Sequence, residues 1–344
     1  MTMTDLPELI ILDVGHGGCS VLRDTNQTVI IDCAPGSTLI DLLKKLNIHE
    51  IATILISHAD SDHIAGIIAL LSNAEMKIHN IYLNPDSVKD TEVWTDLRTA
   101  FRDARKRSRV KIHVGLTTEE TGQLDTGRVK IEILAPPPEL AMGGVGGKDL
   151  RRRPLNSNSM SAVISLIHET HRIAILPGDI DEIGLSNLKD DCEELHADLL
   201  VFPHHGGKPG HADSKQFAHS LCSLVKPKVV LFSFDRNRFS NPREDIMEGI
   251  KTAVPKAYIV CTQLSKSCAT QLPNSDLAHL SELPSKSRES KCSCGGTMLI
   301  KINGSHTFDA SLFSQHQRFV KREVSTPMCL KIFVDNKDNV AKTK

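Results

Sequence analysis

Aromatic side chains are scarce in this 344-residue chain, which has one Trp, two Tyr and ten Phe, 4% of its residues. A surface that holds nucleic acid mainly by stacking successive bases is therefore disfavoured. Long apolar runs are also missing. None reaches the ~18 residues of a membrane span, and residues 1–20 show no basic segment leading into an apolar core. These absences lead us to expect a soluble, cytoplasmic protein with no membrane partner. Neither charge sign dominates: 41 Lys and Arg face 42 Asp and Glu, for a net charge of −1. No bulk field advertises a polyanion or a membrane, and only local patches could do so. The nine cysteines are odd in number and mostly stand singly in apolar segments, as Cys19, Cys33 and Cys222 do. That excludes a secreted disulfide framework and points to reduced thiols.

One stretch is rich where the rest is ordinary. Ser57-His58-Ala59-Asp60-Ser61-Asp62-His63 follows the apolar, β-branched run 51–56 and precedes the apolar run 64–71. The first run reads as a buried strand and the second as a buried helix. Two His and two Asp thus fall within six residues at a strand-to-helix turn. Imidazole with carboxylate suits a divalent ion of the zinc or manganese class. The alternative, a polar loop with Asp62 capping the helix, accounts for only one of these four side chains.

The same alternation of apolar strand and ligand-rich loop recurs along the chain. Strands are expected at 9–14, 19–22, 28–32, 78–83, 110–114, 128–134, 162–167, 172–176, 199–202, 229–233 and 257–260, with the second and third joined around Asp24-Thr25-Asn26. Helices are expected at 38–46 and 90–109, and residues 141–158, Gly-rich and then basic, read as a mobile loop. Asp13, Asp179 and the pair His204-His205 each sit just after a strand, the usual place for active groups on a sheet scaffold. With His58, Asp60, Asp62, His63 and one of His204 and His205, Asp179 makes a donor set large enough for two divalent ions sharing a carboxylate. Asp179 taken alone reads equally well as a turn residue.

His58-Ala-Asp60-Ser-Asp62-His63 resembles the His-x-His-x-Asp-His signature of the metallo-β-lactamase fold. More narrowly, the chain resembles the soluble hydrolase domain of the competence DNA-uptake protein ComEC and its stand-alone relatives. The supporting segments are 13–18, 31–32, 158–161, 177–180, 203–207 and 237–242, in order across about residues 8–262. The resemblance implies an α+β fold, a four-layer αββα sandwich over residues 1–262. A cysteine-bearing extension would follow at 263–344, its last ten residues disordered. It implies His58, Asp60 and Asp179 on one metal, and Asp62, His63, Asp179 and His205 on the other. Catalytic roles would fall to Asp62, to His204 as phosphate contact or general acid, and to Arg238 on a substrate phosphate. His16, Asn158, Ser161 and Asn237 would bind substrate.

The expected function is a metal-dependent phosphodiesterase, a nuclease cleaving DNA or RNA with metal-activated hydroxide. Without an attached channel, it could serve as a defence effector working with partner proteins. Two other classes stay open: a hydrolase of a small phosphodiester, lactone or thioester, and a binding or scaffold protein with a degenerate metal site. Three departures from the family pattern bear on the choice. Asp60 replaces a His, no third His precedes Asp179 (Asn158 or Ser161 stands in that region), and Gly18 takes a position where relatives carry Asp.

Two further features await placement. Arg98, Arg102, Arg105, Lys106, Arg107 and Arg109 crowd the 90–109 helix, and Arg151-Arg152-Arg153 lie in the 141–158 loop. If both border the site, they would hold a phosphodiester backbone; otherwise they are solvated faces. Cys261, Cys268, Cys292 and Cys294 bracket a Ser/Lys-rich segment and could staple it with a structural zinc, with fortuitous free thiols as the alternative. Strands are expected at 297–302 and 329–333.

Overall fold

The computed structural model describes residues 6–25, 27–273, 278–308 and 313–333. Asn26 of the expected turn and the last ten residues lie outside the described residues. Two mixed sheets stack face to face. The first runs β1 (Glu8–Ile11), β2 (Cys19–Asp24), β3 (Gln27–Cys33), α1 (Thr38–Lys45), β4 (Glu50–Ile56), α2 (Ser61–Ser72), β5 (Lys77–Leu83), α3 (Glu92–Arg107) and β6 (Lys111–Val114). The second runs β7 (Val129–Ala135), α4 (Pro138–Gly143), β8 (Val163–His168), β9 (His171–Leu176), α5 (Glu182–Asp191), β10 (Leu199–Val201), α6 (Ser214–Val225), β11 (Val229–Phe232), α7 (Glu244–Ala253) and β12 (Tyr258–Cys261). A short α8 (Lys286–Glu289), β13 (Met298–Lys301) and α9 (Ser314–Glu323) follow.

The strand orders are β13-β1-β2-β3-β4-β5-β6 and β12-β11-β10-β9-β8-β7. In each sheet a hairpin-linked antiparallel part gives way to parallel strands joined by helices: β3 to β6 in one, β9 to β12 in the other. Three apolar clusters fill the spaces between four layers. Leu9, Ile31, Leu55, Ile131, Ile164 and Leu231 pack between the sheets. Ile54, Ile64, Ile67 and Leu97 pack under α2 and α3, and Phe217, Leu221, Phe232 and Ile246 under α6 and α7. The burial explains why 51–56 is apolar on both faces, since β4 has helices on one side and the other sheet on the other. Each fully buried Leu or Ile there contributes about 1.5–3 kcal/mol.

Two expectations need correction, and one open alternative is decided. The basic half of α3 does not border the 57–63 turn. Arg107 donates to the Leu71 carbonyl, at the end of α2 remote from Asp62 and His63, about 12–14 Å away along the helix axis. Residues 141–158 are not a structureless loop. Leu140, Val145, Leu155 and Met160 form a small core of their own, Lys148 and Pro154 pair across the segment, and Asp149 accepts from the Arg151 and Arg153 amides. Two of its three arginines are committed: Arg151 to Ser186 and Asp190, and Arg153 to Asp149. The expected strand at 329–333 is absent because residues 328–330 form a single helical turn.

The other late strand does form, and β13 extends the first sheet beside β1. Asp13 docks this part of the chain rather than facing the site. Its carboxylate accepts from Gln263 Nε2, Ser285 Oγ and the Ser287 amide, and its own amide donates to Thr297.

Candidate metal centre

The parallel strands of both sheets release their loops at one edge, and the loops after β4, β9, β10 and β11 converge there. Four ligand-type residues, Asp62, His63, Asp179 and His205, place one donor atom each within 4.8 Å of one another. Among the described residues no other group of three or more His, Cys, Asp or Glu side chains does so. Asp62 and His63 stand in the first turn of α2, whose N-terminus favours a carboxylate. Asp62 is not the cap of that helix. Asp60 occupies the cap position, and its side chain makes no capping bond.

The orientation of the imidazoles is fixed from behind. His63 Nδ1–H donates to Asp32 Oδ2 at 2.7 Å, and His205 Nδ1–H donates to the Ser233 carbonyl at 2.8 Å. Asp32 also accepts from the Ser57 amide and the Ser57 hydroxyl, both at 2.7 Å. The Ser57 oxygen is thereby left to accept from His58 Nδ1–H at 3.0 Å. All three rings thus commit their Nδ1 proton outward, and each presents a bare Nε2 inward. These Nε2 atoms of His58, His63 and His205 are buried without a hydrogen-bond partner. They face carboxylates: His205 Nε2 lies 3.2 Å from Asp62 Oδ2, and His63 Nε2 and His205 Nε2 each lie 3.7 Å from Asp179 Oδ2. Lone pairs opposed to carboxylate oxygens in a buried pocket require a cation between them. The donor set fits a divalent ion.

Protonation in the metal-free chain follows the same logic. Burial opposes a charged His63, but the Asp32 and Asp179 carboxylates on its two sides outweigh it and raise the pKa well above the usual imidazole value. His205 moves the same way, with burial overcome by Asp179 and Asp62. Burial likewise opposes ionised Asp62 and Asp179, yet the surrounding histidines hold both below the ordinary carboxylate range.

Backbone conformation is bent to the same end. His204 and His205 both adopt positive φ, 53° and 54°, a costly conformation for non-glycine residues that functional sites tolerate. The His204 amide donates to Asp179 Oδ1 at 2.8 Å. Its ring pairs Nε2 with the Ile180 carbonyl, so Nδ1 faces Asp179 Oδ2 at 3.8 Å. Gly18 has a physical reason to replace a larger residue: a Cβ there would meet the His63 ring at 2.9 Å.

The remaining expected residues divide clearly. His16 covers the centre, with Nε2 3.2 Å from Asp62 Oδ2 and its ring between His205 and Phe239. Ser161 is buried behind the site, where its Oγ accepts from the Asp179 amide and donates to the Pro177 carbonyl. Asn158 keeps a buried Oδ1 without a partner. Asn237 and Arg238 are exposed on the loop after β11, Arg238 lying 5.7 Å from the Phe239 ring centroid. His58 and Asp60 sit beside the four-residue group, with Nε2 and Oδ2 3.6 Å apart.

The cysteines are not brought to one point. Cys294 lies 3.2 Å from His316 Nε2 and beside Cys261, whereas Cys292 faces Ser290 and Gln263. Sequence reasoning gave no role to Asp32, Ser57, Ser233 or Lys89. Asp32 and Ser57 do fall at strand ends; Ser233 contributes only a carbonyl, which its side chain cannot announce.

Residues 12–152 match the Metallo-beta-lactamase superfamily. The match covers most of the first sheet and its helices, and the two helix-flanked sheets have the metallo-beta-lactamase fold. The matched residues end before Asp179 and His205, which the tertiary structure adds to the centre. The chain is 22% identical over 268 residues to ComE operon protein 3 of Bacillus subtilis, a stretch covering 70% of this chain and 30% of that protein. Among solved structures, the metallo hydrolase Igni18 of the archaeon Ignicoccus hospitalis is 15% identical, with 73% of this chain and 94% of that one covered and a TM-score of 0.45. The metallo-beta-lactamase fold protein YhfI of Bacillus subtilis is 14% identical over 72% and 94% of the two chains, also with a TM-score of 0.45. Among the described residues no helix is long and apolar enough to cross a membrane.

Proposed function

We propose that this chain is a metal-dependent phosphodiesterase that cleaves nucleic acid, DNA or RNA, using zinc or manganese at the Asp62–His63–Asp179–His205 centre. The observation that carries the hydrolase reading is the convergence of bare Nε2 atoms on the Asp62 and Asp179 carboxylates. A divalent ion there supplies a Lewis acid and brings the pKa of a bound water towards neutrality.

The shape of the cleft favours a polymer. Its volume is about 500 Å³, it lies open to solvent, and its wall includes His16, Asp60, His204, Lys208, Phe239 and Asn241. Small-molecule sites instead enclose most of their ligand. Lys208 and Arg238 are exposed, and Phe239 is 53% exposed. Arg238 and Lys208 would hold non-bridging phosphate oxygens, and Phe239 offers a single ring to a base or sugar. His16 keeps Asp62 oriented, and His204, whose Nε2–H is given to the Ile180 carbonyl, turns towards the centre an Nδ1 that can accept a proton. On this reading the chain acts as an effector with partner proteins.

Cleavage of labelled single- and double-stranded DNA and RNA by manganese-loaded protein tests the proposal. Cleavage by wild type and none by His63→Ala supports it. Hydrolysis of a generic small diester with no polymer cleaved at any salt would move the assignment to a small-molecule hydrolase. Intact metal binding with neither activity would leave a binding protein.

A further inference from the structure

The His58–Asp60 side of the centre is occupied differently from the other side. Lys89, on the loop between β5 and α3, directs Nζ onto Asp60 Oδ1 in a short ion pair. The same ammonium lies 3.7 Å from Asp86 Oδ2 and 3.4 Å from Ser157 Oγ. Its side chain is only 14% exposed, and Asp86 is buried with Oδ1 lacking a partner. A cation of the chain's own therefore already pairs with Asp60, the carboxylate 3.6 Å from His58 Nε2, and with Asp86. What remains for a metal on that side is His58 Nε2, Asp60 Oδ2 and a share of Asp179. Neither His58 nor Asp60 belongs to the close four-residue group.

We infer that Lys89 holds the His58–Asp60 position against a second divalent ion, so that the chain binds one ion tightly and a second only weakly. The inference rests on the reading of Asp62, His63, Asp179 and His205 as a metal centre. A buried ammonium pairs with carboxylates when a partner is close, and it repels a divalent ion placed on the same carboxylate. Asp60 in place of an imidazole is consistent with this arrangement, because a carboxylate gives the ammonium a counter-charge and a neutral imidazole does not. Lys89 is here a positioning residue that sets metal count rather than a group acting on substrate.

Manganese titration of the metal-free full-length protein tests this, followed by calorimetry and by electron paramagnetic resonance. Manganese is chosen because the cysteines compete for it poorly. Wild type should take up one tight equivalent and give the spectrum of isolated Mn(II). Lys89→Met, and Lys89→Gln as a second variant should the first fail to fold, should take up a second equivalent at least about tenfold more tightly than wild type and show exchange coupling between the ions. Lys89→Arg, which keeps the charge, should stay at one. Two tight equivalents in wild type, or a count of one in folded Lys89→Met and Lys89→Gln, would overturn the inference and leave the centre intact. No manganese bound by wild type would overturn both.

Discussion

The Asp32 carboxylate orients His63 from behind the centre, and replacing it gives a ranked prediction. Asp32 accepts three bonds, from the Ser57 amide, the Ser57 hydroxyl and His63 Nδ1–H, all at 2.7 Å. Asparagine has one oxygen and one NH2 in the same space. If the oxygen stays with the Ser57 amide, the NH2 points at His63 Nδ1. That nitrogen must then accept, its proton moves to Nε2, and the lone pair meant for the metal is lost. If the amide flips, two donors oppose each other at the Ser57 amide. Alanine leaves His63 free to choose either tautomer. Removing a partner of this kind costs about 10–100-fold in metal affinity, or about 1.4–2.8 kcal/mol. Asp32→Asn should fall at the upper end and Asp32→Ala at the lower end. The assay is zinc affinity by chelator competition, with a thermal melt confirming that each variant folds. Wild-type affinity in folded Asp32→Asn would refute the tautomer argument.

Other substitutions probe separate parts of the account. Gly18→Ala places a methyl against the His63 ring and should cost about 1–3 kcal/mol of stability, measured by denaturant melts, together with weaker metal binding. Asp24 is buried, and it binds the Val129 amide, the Arg128 amide and side chain, and the Thr126 hydroxyl, which riveted together join β2 to β7. Burial pushes its pKa up, but those bonds prevail and lower it. Its contribution is therefore present above about pH 3.9, the unfolded value, and is lost as pH falls through the depressed folded one. Asp24→Asn should cost about 1–3 kcal/mol at pH 7, and its deficit in melting temperature against wild type should shrink below pH 4. Arg238→Ala and Lys208→Ala should each flatten the salt dependence of nucleic-acid binding by about one unit of slope without changing metal affinity. Unchanged slopes would remove these two residues from the polymer path.

Much of the fold and the inner shell of the centre could be read from residues alone. The 57–63 cluster stands out because β4 is buried on both faces, which makes the polar turn after it conspicuous. Asp179 and His205 could be named as candidates only because each follows an apolar strand. Nothing in their spacing, 116 and 142 positions after His63, says that β9 and β10 end at the same edge. The roles of Asp32, Ser57 and Lys89 depend on contacts between separate strands and loops, which local pattern does not encode. The placement of the basic helix was open in the sequence for a related reason. Its composition tells that one face is solvated, but the end of α2 that it meets is settled by the direction of the β5–α3 connection. The cysteines show the same limit, since Cys292 and Cys294 are neighbours in sequence and turn to different partners.

The central claim is that Asp62, His63, Asp179 and His205 hold a divalent ion. Its most direct test is elemental analysis of zinc bound after equilibrium dialysis, comparing wild type with Asp179→Ala and His205→Ala in folded protein. We predict tight zinc in wild type and loss of that equivalent in both variants. Equal zinc content in all three proteins would contradict the account.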